Sequence, residues 1–262
     1  MTDWGRPLST MRQSAPLVHT ITNYVAMNVA ANVLLAAGAS PAMVHALDEA
    51  AEFTALSDAL TINIGTLSAP WVAAMLASAA QAGAQGIPWV LDPVAAGATA
   101  FRRQTAAQLV ALAPTVIRGN ASEVLALAGG AARGKGADAA DAVETAEAGA
   151  RELARATGAV VAVTGPVDFV TDGTRAWHIA NGHPIMPRVT ALGCGLSGLV
   201  GAFVAGQPAA EATVSALAYY GLAGEIAAGR ATGPGSFQPA FLDALHGLTP
   251  AAVSAGARVS VA

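Results

Sequence analysis

The chain has 262 residues, of which 54% are hydrophobic and only 11% are charged. Its formal net charge is −4 and Lys135 is its only lysine, which argues against nucleic acid and anionic membranes as partners. One cysteine, Cys194, cannot form an internal disulfide and fits a reducing cytoplasm. Because charged surface is scarce, we expect copies of the chain to cover part of it.

The hydrophobic regions do not predict a membrane protein. Residues 1–13 lack the basic cluster and apolar stretch of a signal peptide. Polar residues or a proline interrupt the two most hydrophobic regions: Asn23, Asn28 and Asn32 in the first, and Gln207, Pro208 and Glu211 in the second. We therefore expect a soluble, cytoplasmic protein.

Short strand-like runs alternate with alanine-rich helical stretches along most of the chain. The predicted strand–helix pairs are 17–20 with 26–37, 42–44 with 48–56, 60–64 with 70–82, 89–92 with 102–112, and 115–118 with 122–128. A helix over 142–156 then precedes a strand over 159–164, and two runs, 169–171 and 176–179, flank the hairpin signal Asp172-Gly173. From Leu196 onward the pattern is mostly helical.

This alternation predicts an α/β fold with a mostly parallel central sheet, helices on both faces and a helical C-terminal third. No composition break divides the chain, so we expect one domain over residues 1–262. Ligands of open α/β sheets bind beyond the carboxyl ends of the strands. Polar residues end four of the predicted strands: Asn63, Asp92, Arg118 and Thr164.

Residues 189–198 (VTALGCGLSG) place Cys194 between Gly193 and Gly195, just before the apolar run 196–205. The glycines permit a tight turn and close approach of a ligand. A helix that begins there directs unpaired N–H groups at an anion, and a thiol in that position should ionise readily. A tight turn before a core helix, with Cys194 as a small buried residue, explains the stretch equally well.

Residues 118–123 (RGNASE) follow a predicted strand. Arg118 can bind phosphate through two hydrogen bonds, and Glu123 can hold magnesium. Asn120 with Glu123 also fits a capping box at a helix start, and the two roles are compatible. Asp92 precedes a proline, Thr164 precedes a glycine and Asn23 precedes a helix, so for each of them a turn or cap role stays open beside ligand contact. Met43, taken alone, would ordinarily fill the core.

Residues 129–136 (GGAARGKG) nearly match the phosphate-loop pattern GxxxxGK[ST]. Gly136 stands where the motif needs a hydroxyl, and the preceding residues predict a helix where the motif needs a strand. We therefore expect a surface loop.

Together, several of these stretches resemble the hydroxyethylthiazole kinase family, thiamin-salvage enzymes of the ribokinase-like superfamily. They follow the family's order over about residues 15–230: VHTITNYV at 18–25 with Asn28 and Asn32, GASPAM at 38–43, NIGT at 63–66, LDPV at 91–94, IRGNASE at 117–123, VTG at 163–165 and VTALGC at 189–194.

The resemblance implies a homotrimer with active sites between subunits, and transfer of the γ-phosphoryl group of ATP to the primary hydroxyl of 4-methyl-5-(2-hydroxyethyl)thiazole. By the match, Met43 would contact the thiazole, and Asn23 would lie near it, either in the same subunit or across the subunit boundary. Arg118 and Thr164 would bind ATP, and Asp92 and Glu123 would organise Mg²⁺. Cys194 stands where most ribokinase-like enzymes carry an aspartate base, and Gly193 and Gly195 beside it would hold the transferring phosphoryl group.

Ala191 departs from the family, which usually has a glycine at this backbone contact to the thiazole. Its methyl group would narrow the pocket or restrict φ.

Two other hypotheses remain open. A dehydratase of hydrated nicotinamide nucleotides with the same fold would be expected to keep an aspartate at the position of Cys194. An inactive thiazole-binding trimer predicts losses among four residues that are all present: Asp92, Arg118, Glu123 and Cys194.

Overall fold

The computed structural model describes residues 2–129 and 139–262, with the side chains of all but 139–144. Apart from Gly129, the near-match to a phosphate loop lies outside the described residues, and so does Lys135. The strands are β1 Leu17–Ile21, β2 Ser40–Ala42, β3 Ala59–Asn63, β4 Trp89–Asp92, β5 Val116–Asn120, β6 Val160–Thr164, β7 Asp168–Thr171, β8 Ala176–Ile179 and β9 Val259–Val261.

The described strands form one sheet in the order β2-β1-β3-β4-β5-β6-β7-β8-β9. The pairs from β2 to β6 are parallel, and the pairs from β6 to β9 are antiparallel. The predicted hairpin is confirmed, because β7 and β8 pair directly across the turn that contains Asp172 and Gly173. The prediction of a mostly parallel central sheet is also confirmed.

Helices cover both faces of the sheet, as predicted. They are α1 Arg6–Ser14, α2 Met27–Ala37, α3 Ala50–Ala55, α4 Ala69–Gln85, α5 Ala100–Val110, α6 Ala121–Leu127, α7 Ala139–Thr157, α8 Leu192–Val204, α9 Ala209–Arg230, α10 Pro234–Gly247 and α11 Pro250–Gly256. Helices α3 to α7 pack on one face, and the other helices pack on the opposite face.

Alternate residues of the central strands enter two separate hydrophobic cores. In β4, Trp89 and Leu91 belong to the core under α3 to α7, whereas Val90 belongs to the core under α2, α8 and α9. Successive side chains of a strand point to opposite faces, so a strand covered on both sides is apolar throughout. This explains the short uninterrupted apolar runs in the sequence.

Four details differ from the sequence prediction. Helix α1 and strand β9 were not predicted, and β2 ends before Met43 rather than including it. Helix α8 begins at Leu192, four residues before the predicted start at Leu196. Glycine is a poor helix former, so the sequence GCG does not predict a helical turn. The burial of Leu192, which is only 4% exposed, stabilises this first turn. Among the described helices, none is both long and apolar enough to cross a bilayer.

Candidate active site

The carboxyl ends of β3 to β6 bring the predicted polar residues to one edge of the sheet. Asn63 pairs in register with Asp92, and Asn120 pairs with Thr164. The first turn of α8 lies at the same edge, because Ser197 and Gly193 of this helix contact Asp92 and Arg118. The predicted gathering is therefore observed for Asn63, Asp92 and Thr164, whereas β5 continues to Asn120 and Arg118 lies two residues before its end.

A chain of side-chain hydrogen bonds connects the thiol with a buried carboxylate. The Nδ2 group of Asn23 lies 3.3 Å from Sγ of Cys194 and donates to Oδ1 of Asn63 at 2.8 Å. Nδ2 of Asn63 then donates to Oδ2 of Asp92 at 2.6 Å, and Oγ of Ser197 donates to the same oxygen at 2.8 Å. These bonds fix the carboxylate and the thiol relative to each other.

The carboxyl group of Asp92 is only 1% exposed, and burial raises its pKa to about 6. The nearby charge of Glu123 also raises the pKa. Arg118, whose Nη1 lies 3.8 Å from Oδ2, opposes this effect, as do the hydrogen bonds from Ser197 and Asn63. Mutual repulsion between two carboxylates is relieved when a cation binds between them.

The thiol of Cys194 does not ionise as readily as the sequence predicts. Burial raises the pKa of Cys194 above its ordinary value, and the carboxylate of Asp92 raises it further. The hydrogen bonds from Asn23 and Asn63 and the charge of Arg118 lower the pKa but do not reverse the shift. The prediction of an acidified thiol is wrong because it considered the helix start without the burial and the neighbouring carboxylate.

Helix α8 begins in an unusual conformation. Its N-cap, Ala191, has φ +65° and ψ 0°, and the first backbone bond of the helix runs from N–H of Gly195 to the carbonyl of Ala191 at 2.9 Å. The N–H groups of Leu192, Gly193 and Cys194 precede that bond, so they are available to an anion at the positive end of the helix dipole.

The two glycines beside Cys194 allow close packing against neighbouring side chains. A Cβ on Gly193 would lie 3.1 Å from Nη1 of Arg118, and one on Gly195 would lie 3.1 Å from Cγ2 of Val33. A side chain at either position would require Arg118 or Val33 to move by a few tenths of an ångström.

The guanidinium of Arg118 connects the start of α8 with the end of β6. Its Nη2 donates to Oγ1 of Thr164 at 2.7 Å, and its Nη1 donates to the carbonyl of Gly193 at 3.1 Å. The Nε atom is buried and has no hydrogen-bond partner in the described part of the chain. A buried N–H of a cation without an acceptor is costly, so this group suits an anionic ligand.

A cavity of about 640 Å³ opens beside these groups. Its size is within the usual range for a site that holds a cofactor-sized molecule. Its lining includes Arg118, Thr164, Asp168, His183, Ala191 and Tyr220.

Glu123 has the capping role and still belongs to the site. Its Oε2 accepts from N–H of Asn120 at 2.8 Å, and Asn120 accepts from N–H of Glu123 at 3.0 Å, which completes the predicted capping box. Its Oε1 accepts from N–H of Ala95 at 3.0 Å, in the turn after Asp92.

No cluster of three or more potential ligands among His, Cys, Asp and Glu occurs in the described residues. The candidate donor set for a metal is the pair of carboxylates of Asp92 and Glu123, which repel each other electrostatically. Magnesium is commonly held by one or two carboxylates, with water and substrate phosphates as its other ligands. The pair fits that ion.

Met43 directly follows β2 and is half-buried. Its contact with the thiazole stays a prediction.

Sequence reasoning missed several residues that organise the site. Ser197 lies three positions after Cys194, so helical spacing would have revealed that the two share a face of α8. Asp168, whose pKa burial raises to about 6, accepts from N–H of Gly165 at 2.9 Å. Arg102 donates to the carbonyls of Ile64, Gly65 and Val94, and no sequence pattern marks it.

Comparison with known proteins identifies the family. A sequence model of the hydroxyethylthiazole kinase family matches residues 8–251. A hydroxyethylthiazole kinase from Cereibacter sphaeroides is 68% identical over 258 residues, which are 98% of each chain. One from Rhizobium etli is 62% identical over 257 residues, which are 97% of this chain and 100% of the relative.

Comparison with solved structures leads to the same family. The structure of a hydroxyethylthiazole kinase protein from Pyrococcus horikoshii OT3 superimposes with a TM-score of 0.93 and 40% identity, over 100% of both chains. An ADP complex of pyridoxal kinase from Bacillus subtilis has a TM-score of 0.59 and 19% identity, over 78% of this chain and 89% of that one, and supports the fold alone. The chain therefore belongs to the hydroxyethylthiazole kinase family.

Proposed function

We propose that the chain transfers the γ-phosphoryl group of ATP to the primary hydroxyl of 4-methyl-5-(2-hydroxyethyl)thiazole, in thiamin salvage. The observation that carries this proposal is the convergence of three groups at one sheet edge. They are the guanidinium of Arg118, the first turn of α8 and the carboxylate of Asp92. Phosphoryl transfer depends mainly on positioning and charge neutralisation, which such a set of groups provides.

In this proposal ATP occupies the cavity beside Arg118 and Thr164. The unpartnered Nε of Arg118 and the free N–H groups at the start of α8 bind its phosphate oxygens. Asp92 and Glu123 would hold Mg²⁺, which supplies positive charge against the β- and γ-phosphates. Thr164 supports the guanidinium of Arg118 by accepting its hydrogen bond.

Cys194 is the proposed acceptor of the proton from the thiazole alcohol. The hydrogen bond from Asn23 orients its sulfur, and Gly193 and Gly195 keep the surrounding backbone close to the transferring group. A base is needed late in a loose transition state, so a thiol of raised pKa can serve after the phosphoryl group has begun to move. Met43, Asn23 and the backbone of Ala191 form the proposed thiazole contacts.

We also propose that the chain acts in the cytoplasm as a homotrimer, with one domain over residues 1–262. Exposed apolar side chains next to the thiazole contacts support self-association: Tyr24 is 68% exposed, Val25 59% and Leu47 51%. Exposed apolar surface around a site is typical of an interface. A second subunit on this surface would bring its own residues to the thiazole. Sedimentation should give a trimer, and a fully active monomer would contradict this arrangement.

A coupled assay of ADP release tests the reaction. With ATP and magnesium, ADP should form only when the thiazole alcohol is added, and mass spectrometry should detect the thiazole phosphate in equal amount. ADP formation that is independent of the thiazole, or none at all with bound thiazole, would overturn the proposal. Dehydration of a hydrated nicotinamide nucleotide in the same samples would instead support the lyase hypothesis.

A further inference from the structure

His19 lies in the middle of β1 and is fully buried. Its ring contacts the edge of the Phe53 ring in α3, with the centroids 5.3 Å apart. Burial lowers the pKa of His19, so the ring is neutral at physiological pH. A neutral imidazole has one N–H group and one acceptor nitrogen, and the contacts of the ring determine which is which.

The two ring nitrogens of His19 contact different segments. Nε2 lies 2.7 Å from the carbonyl of Val44, and Nδ1 lies 2.9 Å from Oγ1 of Thr54. A carbonyl oxygen only accepts, so Nε2 carries the proton and donates to Val44. Nδ1 of the neutral ring is then an acceptor, and the hydroxyl of Thr54 lies 2.9 Å both from Nδ1 and from the carbonyl of Ala50, so the two acceptors share its hydrogen. His19 therefore joins β1 to the chain after β2 on one side and to α3 on the other.

The hydrogen bond from His19 to Val44 supports the segment that follows β2. Strand β2 has three residues, lies at the edge of the sheet, and pairs with β1 only as far as His19 opposite Ala42. Residues 43–49 then cross to α3 without regular secondary structure. The side chain of His19 thus continues the connection to β1 two residues beyond the last paired position.

We propose that His19 is a positioning residue for the acceptor substrate: by binding the carbonyl of Val44, it fixes the backbone of Met43 relative to β1. The same strand leads to Asn23, which contacts Cys194. Strand β1 therefore sets the relation between the segment that holds the acceptor and the group that accepts its proton. The identity of the acceptor rests on the proposed function, whereas the anchoring of the segment does not.

Two variants of His19 separate positioning from general stability. In His19→Gln the amide nitrogen reaches about as far as Nε2 and can still donate to Val44, whereas His19→Leu fills the space without a donor. A matched control is His178→Leu in β8, at the other end of the sheet, where the ring contacts Glu147 instead. Hydrogen exchange of residues 43–49 and steady-state kinetics are measured for the parent and each variant.

We expect His19→Leu to raise the KM for the thiazole alcohol about tenfold, the effect of one lost hydrogen bond of ordinary strength. The kcat at saturating thiazole and the KM for ATP should stay within about twofold of the parent. Exchange in residues 43–49 should accelerate, while the amides of β3 and β4 keep their protection. His19→Gln should restore both quantities, and His178→Leu should change neither.

Equal losses with both substrates, or unchanged exchange in residues 43–49, would overturn the inference. If His19→Leu does not fold, His19→Asn replaces it, because its shorter amide cannot reach Val44. A parent that releases no ADP with the thiazole would refute the proposed function. The exchange data would still decide whether His19 anchors the segment.

Discussion

The side-chain nitrogen of Asn23 lies 3.3 Å from the sulfur of Cys194, although the two residues are 171 positions apart in the chain. The second hydrogen of the same nitrogen goes to Oδ1 of Asn63. This donor stabilises a thiolate, but the burial of Cys194 and the nearby charge of Asp92 have the larger effect on its pKa. The thiol is therefore held in place without being made acidic.

Replacing the thiol tests whether it is the base. Cys194→Ala should lower turnover by about 10²–10⁴, the usual contribution of a general base, with the loss at the low end because the transition state is loose. The affinity for ATP should change little because the backbone at the start of α8 remains. If Cys194→Ala matches the parent at every pH, the thiol only fills space.

The pH dependence gives an independent measure of the same role. Since the pKa of Cys194 is raised, kcat/KM of the parent for the thiazole should increase with pH through and beyond the ordinary thiol range of about 8.5. Cys194→Asp should retain substantial activity, and the increase should move to a lower pH. Profiles from about pH 6 to about pH 10 distinguish the two enzymes. Identical profiles would exclude Cys194 as the titrating group.

Arg118→Ala should weaken the binding of ATP more than that of the thiazole. A charge-assisted contact to phosphate contributes roughly 1.5–3 kcal/mol, so the affinity for ATP should fall about 10- to 150-fold. Arg118→Lys should restore only part of it, because an ammonium group cannot donate in parallel to Thr164, Gly193 and phosphate. Calorimetric titration with each substrate makes the comparison. A selective loss of thiazole affinity would show that Arg118 is assigned to the wrong substrate.

Arg102 should stabilise the turns that carry the site. Its guanidinium donates to the carbonyls of Ile64 and Gly65 after β3, and to that of Val94 after β4. Arg102→Met leaves these partly buried carbonyls without a donor and should cost at least about 2 kcal/mol of unfolding free energy in urea. The neighbouring Arg103 is exposed and, within the described part of the chain, donates only to Gly97, so Arg103→Met should change stability by less than about 0.5 kcal/mol. Equal effects would mean that the Arg102 contacts contribute nothing.

The sequence could predict which polar residues meet at the edge of the sheet, but not how their surroundings shift their pKa values. Asn63, Asp92 and Thr164 were found because parallel strands align their carboxyl ends at one edge. The pKa of Cys194 could not be predicted, because it depends on burial by residues far away in the chain. Arg102 escaped notice for a related reason, since its partners are main-chain carbonyls 8 to 38 positions away, and any residue type supplies those.

Asp168 should lower the stability of the protein at neutral and alkaline pH. Burial raises the pKa of its carboxyl to about 6, so the folded state disfavours the charged form. The contribution of the uncharged carboxyl to stability is full below the unfolded pKa of about 3.8 and is lost as the pH rises through about 6. Asp168→Asn, which can still accept from Gly165, should be more stable than the parent at about pH 8 and nearly equal at about pH 4. A difference that is independent of pH would contradict the burial argument.

A single substitution at Ala191 can separate backbone strain from a contact with the substrate. Its φ of +65° lies in the left-handed region, which costs a residue with a Cβ about 1–2 kcal/mol, whereas glycine adopts it freely. Glycine loses up to about 1 kcal/mol more conformational entropy on folding, so Ala191→Gly should increase the unfolding free energy by roughly 0.5–1 kcal/mol.

Ala113 is a matched control for Ala191. It is exposed, has φ +54° and lies far along the chain from the thiazole contacts. Ala113→Gly should raise the urea midpoint by a similar amount without altering kinetics. Ala191→Gly should in addition lower the KM for the thiazole a few-fold, because its backbone would sit closer to the ring without the methyl group. If both variants gain stability but neither changes this KM, the proposed contact between Ala191 and the thiazole is wrong. If Ala191→Gly is less stable than the parent, the entropy of the unfolded chain exceeds the strain at this helix start.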